Sequence, residues 1–148
     1  MKQYSVFEIA DWFLSKASVT PKKLEKLAYY AEAWSNALYG KRLISDAEFE
    51  AWAHGPVAPS LYRKYKNYGW NKIPKGDTNR ISDPEVLDLL ESVWITYGDK
   101  SANELEALTH SEAPWRKARK GLREGESSSE KISREDMKKY YRSIYIGD

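Results

Sequence analysis

The chain has 148 residues, no cysteine, and a formal charge of +2 from 24 basic and 22 acidic side chains. That length suits one domain whose core needs no covalent staples. The missing cysteines exclude disulfides and thiolate metal sites, and the nearly balanced charge argues against a dedicated DNA-binding module, which is usually far more basic.

The opening stretch MKQYSVFEIADWFLSK carries Glu8 and Asp11 inside its apolar pattern and is not a signal peptide. No segment reaches the roughly 20 apolar residues that span a bilayer, and with no cysteines to oxidise, a reducing cytoplasm is the expected location. Ser5 with Glu8 forms a capping box, and Val6, Ile9, Ala10 and Phe13 follow at helical spacing. Thr20 and Pro21 open the best-punctuated helix. Its stripe runs Leu24, Leu27, Ala28, Ala31, Trp34 and Leu38, and Gly40 is a left-handed cap. At roughly 1.5 Å per residue it is about 28 Å long, enough to cross the domain as the central core helix.

Phe49, Ala51 and Ala53 alternate with Glu50, Trp52 and His54, which predicts a short strand, although a helical turn fits nearly as well. Gly55-Pro56 is expected to break it. Pro59 opens a helix carrying Leu61, Tyr62, Tyr65 and Tyr68, closed by Gly69. Trp70 to Ser82 reads as a loop in which a piece near Ile81 could pair with the Phe49 segment. Asp83-Pro84-Glu85 starts the next helix, with Val86, Leu89, Leu90, Val93, Trp94 and Tyr97 inward. Ser101 and Glu104 form a second capping box, Pro114 opens a short basic helix, and Ser133 caps a helix bearing Met137, Tyr140, Tyr141 and Ile144. The expectation is a mainly α fold: one domain over 1–148 with six or seven helices. Any β element is small, near 48–53 and 79–82, and a flexible polar loop spans about 124–131.

Chemistry-bearing constellations are scarce. The two histidines, His54 and His110, are far apart, and zinc catalysis wants about three ligands. His110-Ser111-Glu112 has the form of a deaminase H-x-E but lacks the cysteine pair that signature needs. There is no nucleophile elbow and no glycine-rich phosphate loop. The expectation is no metal, no cofactor and no catalytic residue, with both histidines holding turns in shape. Two basic clusters remain. YRKYKNYGWNK mixes Arg63, Lys64 and Lys66 with Tyr62, Tyr65, Tyr68 and Trp70; WRKARKGLR holds Arg116, Lys117, Arg119, Lys120 and Arg123. Such clusters grip phosphates and bases, but a solvated basic face over a buried apolar one uses the same letters.

The stretch from Lys23 to Trp34, the stretch from Gly40 to Tyr62, and Leu108 to Trp115 continuing through Arg119 and Gly121 resemble, in order, the segments of the Panacea domain, the SocA-like antitoxin family. The resemblance runs from Val6 to Tyr141, with two departures: His54 stands where many members have Tyr or Phe, and the extra N-terminal DNA-binding region that many antitoxins carry is not expected in this sequence. It implies a non-catalytic, protein-binding antitoxin, possible in a prophage setting, that neutralises a toxin by direct contact. The residues matching the motif are Trp34, Trp52, His54, Gly55, Pro56, Tyr62, His110, Glu112, Pro114 and Trp115. Trp52 and His54 are expected to brace the Gly55-Pro56 turn. Tyr62, Arg63, Lys64, Tyr65, Tyr68 and Trp70 are the expected partner-binding residues, with Arg116 and Arg119 as a second patch. The rival reading is a nucleic-acid-associated regulator using the same basic-aromatic faces.

Overall fold

The computed structural model describes residues 1–77 and 79–145. Seven α-helices lie among them: α1 (Val6–Leu14), α2 (Pro21–Tyr39), α3 (Pro59–Tyr65), α4 (Pro84–Tyr97), α5 (Ala102–Ser111), α6 (Ala113–Ala118) and α7 (Arg134–Ile144). The protein is mainly α, and the helix starts are where the punctuation puts them. Ser5 and Ser101 both form complete capping boxes, with Glu8 and Glu104 reaching back to the cap N–H groups. Thr20, Asp83 and Ser133 cap α2, α4 and α7 through their side chains. Gly40 ends α2 at φ 64°, a left-handed conformation that glycine adopts without strain. α3 tightens into a single 3-10 turn, Lys66–Tyr68, before Gly69.

α2 is the axis. α1, α3, α4, α5 and α7 all pack on it, α7 most extensively. Thirteen of its residues are buried, on every side. Its expected stripe is therefore too narrow a description: Ala33, Ala37, Tyr29 and Tyr30 are buried as well, while Leu38 is exposed and Trp34 half-buried. α7 crosses on the Ala37 side, where Arg142 Nε donates to the Ala37 carbonyl at 2.7 Å, and Leu38 is left at the rim. Ile144, at the far end of α7, also faces outward, and Trp94 is only partly covered.

The β element differs from the expectation in its pairing. β1 (Glu50–Trp52) pairs antiparallel with β2 (Gly55–Val57), in the register Glu50 to Val57 and Trp52 to Gly55. Ala53-His54 is the two-residue turn, and Gly55-Pro56 continues the sheet instead of breaking it. Pro56 is tolerated because it opposes Ala51 at a position where the two strands exchange no hydrogen bonds. Consistent with this, the Ala51 N–H faces the other way and donates to the Glu130 carbonyl at 2.8 Å. Ile81 is buried in the core without strand partners; its loop is instead tied down at Ile73, whose N–H donates to the Val19 carbonyl at 2.7 Å. The polar stretch before α7 is anchored too: the Ile132 N–H meets the Phe49 carbonyl at 2.8 Å, so β1 is flanked on both sides.

Gly55 is the most constrained position in the hairpin. Its φ is +111°, and a Cβ there would lie 2.4 Å from Lys26 Cε and 3.1 Å from Thr109 Oγ1. Backbone strain and overpacking act together, so Gly55→Ala is expected to cost about 2–4 kcal/mol. Urea unfolding should show a lower midpoint with an unchanged slope.

Candidate functional site

The motif residues converge on polar groups that α2 carries into the interior. Lys26 is 1% exposed and its Nζ donates to the Pro56 carbonyl at 3.1 Å, so the hairpin lies directly on a buried lysine. Next to it, Glu25 is 3% exposed and its Oε1 accepts from the Ala58 N–H at 2.9 Å, fixing the entry to α3. Burial raises the Glu25 pKa and lowers that of Lys26; each favours the neutral form of its side chain. One turn on, Glu32 accepts from the Ile44 N–H at 2.8 Å and the Leu43 N–H at 3.3 Å, which pins the segment after Gly40.

The other convergence is aromatic. Glu112 is the single extended residue between α5 and α6. Its Oε1 accepts from the hydroxyls of Tyr30 and Tyr141, each at 2.8 Å, and Tyr29 donates in turn to the Tyr141 oxygen at 3.1 Å. Tyr97 stacks flat on Tyr30, with ring centroids 3.9 Å apart, and its hydroxyl accepts from Trp34 Nε1 at 2.8 Å. Burial raises all these phenols above their ordinary range. The Glu112 carboxyl is pushed up to about 7, chiefly by burial, with the two phenol hydrogen bonds pulling the other way.

The hairpin is braced from outside by α6. Trp115 Nε1 donates to the Trp52 carbonyl at 2.9 Å, and Arg119 donates to the Ala51 carbonyl at 2.8 Å. Arg119 also holds the Arg123 and Glu126 carbonyls and is 5% exposed, so its expected place in a binding patch is corrected: it is an internal clamp. His110 stacks on Trp115 at 3.9 Å, and burial lowers its pKa. His54 is also reassigned. It does not brace the turn from within; its side chain is 77% exposed at the hairpin tip, with Nδ1 3.2 Å from Glu106. Bracing comes instead from Lys26, Trp115 and Arg119. No group of three His, Cys, Asp or Glu residues able to hold a metal is found among the described residues, and no helix there is long and apolar enough to cross a membrane.

Sequence reasoning passed over Glu25, Lys26, Tyr29 and Tyr30. The signal was the doublets EK and YY: adjacent helix positions lie about 100° apart, so two neighbouring large aromatics already demand burial on two faces.

The remaining expected residues form an open surface. Tyr62, Arg63, Lys64 and Tyr68 are exposed along α3 and its 3-10 turn, and Trp70 stands 84% exposed beyond them. Tyr65 instead packs against the core, with Lys64 Nζ 5.3 Å from its ring centroid. Arg116 is exposed on the separate α6 face. Beside Trp70 opens a cleft of about 990 Å³, walled by Trp52 and Tyr62 and floored by Glu25 and Lys26.

A family model described as "Antitoxin SocA-like, Panacea domain" matches residues 24–116. The chain belongs to this family. Among curated proteins, Antitoxin SocA of Caulobacter vibrioides (strain NA1000 / CB15N) is 32% identical over 129 aligned residues, covering 72% of this chain and 66% of that protein. The chain thus spans just under two thirds of that relative's length. No solved structure matches it. The Panacea match begins within α2 and ends within α6, and so encloses both α2 doublets, the hairpin and Glu112, while Tyr141 on α7 lies outside it.

Glu112 gives this Panacea fold a pH signature. Its carboxyl moves from 4.5 to about 7 on folding, so the native state keeps its proton longer than the unfolded chain. This contribution is complete below pH 4.5 and is lost as pH rises through 7. Its size is at most about 3 kcal/mol. Thermal unfolding at several pH values should show a steeper fall across that window for the wild type than for Glu112→Gln. Glu25 contributes a slope of the same sign to both proteins and cancels in the comparison.

Proposed function

We propose that the protein is an antitoxin that neutralises a toxin by binding it directly in the cytoplasm, without a catalytic step or a cofactor. The observation that carries this reading is Trp70, 84% exposed at the end of a ridge with exposed Tyr62 and Tyr68. Tryptophan and tyrosine left open beside arginine are the residue types that dominate binding energy at protein interfaces. Membership in a family described by its antitoxin, and the relative named Antitoxin SocA, support the same reading. Most motif residues are engaged internally, with His54 and Tyr62 the exposed exceptions, so the motif chiefly builds the scaffold and the ridge, which shares Tyr62 with it, makes the contact. Arg63, Lys64 and Lys66 flank the aromatics and suit encounter with an acidic partner surface.

The test is capture of a partner from lysate at two salt concentrations, with and without nuclease. A protein partner should survive both treatments. Trp70→Ala or Tyr62→Ala should weaken its binding by about 2 kcal/mol. Reversing the charge at Arg63 and Lys64 should act modestly, mostly on the association rate. A nucleic-acid regulator would instead lose its bound species to nuclease and between roughly 50 and 200 mM salt. That outcome replaces the antitoxin reading.

A further inference from the structure

The cleft beside Trp70 has a chemical demand that the fold leaves unmet. Glu25 lies in its floor with its carboxyl clamped. Oε1 accepts from Ala58, while Oε2, equally buried, has no hydrogen-bond partner among the described residues. A buried carboxyl oxygen in this position calls for a donor, and a guest in the cleft can bring one. The walls narrow the choice. Trp52 and Tyr62 meet edge to face with ring centroids 4.9 Å apart, and exposed Trp70 also lines the cleft, so a guest reaching the buried acid meets aromatic surface as well.

The cations in the lining are largely engaged. Lys22 is paired with Glu106, and Lys26 points its amine at the Pro56 carbonyl; Lys66 lies on the adjoining 3-10 turn. Glu50 adds a carboxylate, whose Oε1 accepts from Trp52 Nε1 at 2.9 Å and whose charge opposes an acidic guest. A lysine ammonium is a strongly hydrated point charge, costly to bring past three aromatic rings. A guanidinium is planar, weakly hydrated and donor-only, and it stacks on tryptophan and tyrosine while directing N–H groups at a carboxyl oxygen.

We propose that this cleft receives an arginine side chain of the partner protein, its guanidinium held among Trp52, Tyr62 and Trp70 and donating to Glu25 Oε2. The proposal deepens the direct-binding reading and rests on it for the identity of the guest as protein. At about 990 Å³ the cleft also has room for the backbone on either side of that arginine.

The probe is a set of capped tripeptides, acetyl-Ala-Xaa-Ala-amide with Xaa as Arg, Lys, Gln or Glu, titrated into the full chain while the tryptophan indole N–H signals are followed by NMR. The Arg peptide should move the Trp52 and Trp70 signals saturably, with a dissociation constant in the millimolar range expected of one anchor, and bind tighter than the other three. Glu25→Gln keeps an acceptor for Ala58 but cannot ionise against an arriving guanidinium, and should weaken the Arg peptide at least tenfold; circular dichroism checks that the variant is folded. Equal binding of all four peptides, preference for the Glu peptide, or no saturable shift with the Arg peptide overturns the proposal on the wild type alone. If the Arg peptide fails while a protein partner is still captured from lysate, the arginine anchor falls and direct binding stands. If the Arg peptide binds while capture depends on nucleic acid, the cleft's preference is supported and the toxin reading falls.

Discussion

Polar groups on the buried stretch of a helix call for partners, and α2 buries many. Each satisfied group fixes the place of another element. Lys26 holds the hairpin through Pro56, Glu25 holds the start of α3 through Ala58, and Glu32 holds the chain after Gly40 through Leu43 and Ile44. Tyr30 holds the α5–α6 corner through Glu112, and Tyr29 holds α7 through Tyr141. Hydrophobic burial supplies the driving force but is non-directional. These hydrogen bonds give it an address, because a misplaced element would leave a buried charge or hydroxyl unpaired.

The family motif takes on a physical meaning in this light. Trp52, Gly55 and Pro56 in the hairpin and Pro114 and Trp115 in α6 are the parts of it that close over the α2 polar groups. Gly55 must be glycine because Lys26 runs against its backbone, and Trp115 and Arg119 clamp the carbonyls of β1 from the other side. The surface that differs in kind, with exposed aromatics among cations, lies alongside the motif on α3 and the segment after it. Because those exposed side chains are not part of the internal frame, they can vary without endangering the fold.

The helices were legible because their signals are local. Capping residues, N1 prolines and Gly40 act within one turn and read the same with or without the rest of the molecule. The hairpin pairing was not legible. Nothing in GPV says that Pro56 sits opposite Ala51 at a non-bonded position, since that depends on the register in which the two strands meet across the Ala53-His54 turn. Glu25 and Lys26 were passed over for the same reason: charged helix residues default to solvent, and only the surrounding elements show otherwise. Of the proposed surface site, Tyr62, Tyr68 and Trp70 are exposed, whereas Tyr65 and Arg119 turn inward because one lies over the core and the other faces three backbone carbonyls.

The bond between Tyr29 and Tyr141 joins residues 112 positions apart, and Arg142 reaches back 105 positions to Ala37. On the ribosome, α2 is complete long before α7 exists. Throughout that interval the α7-facing side of α2 is bare, and Glu112 lacks one of its two phenol donors. Closing so long a loop costs chain entropy before its contacts repay it. The latest of the described helices is also the one that covers the axis most extensively, so the fold is finished only when it docks.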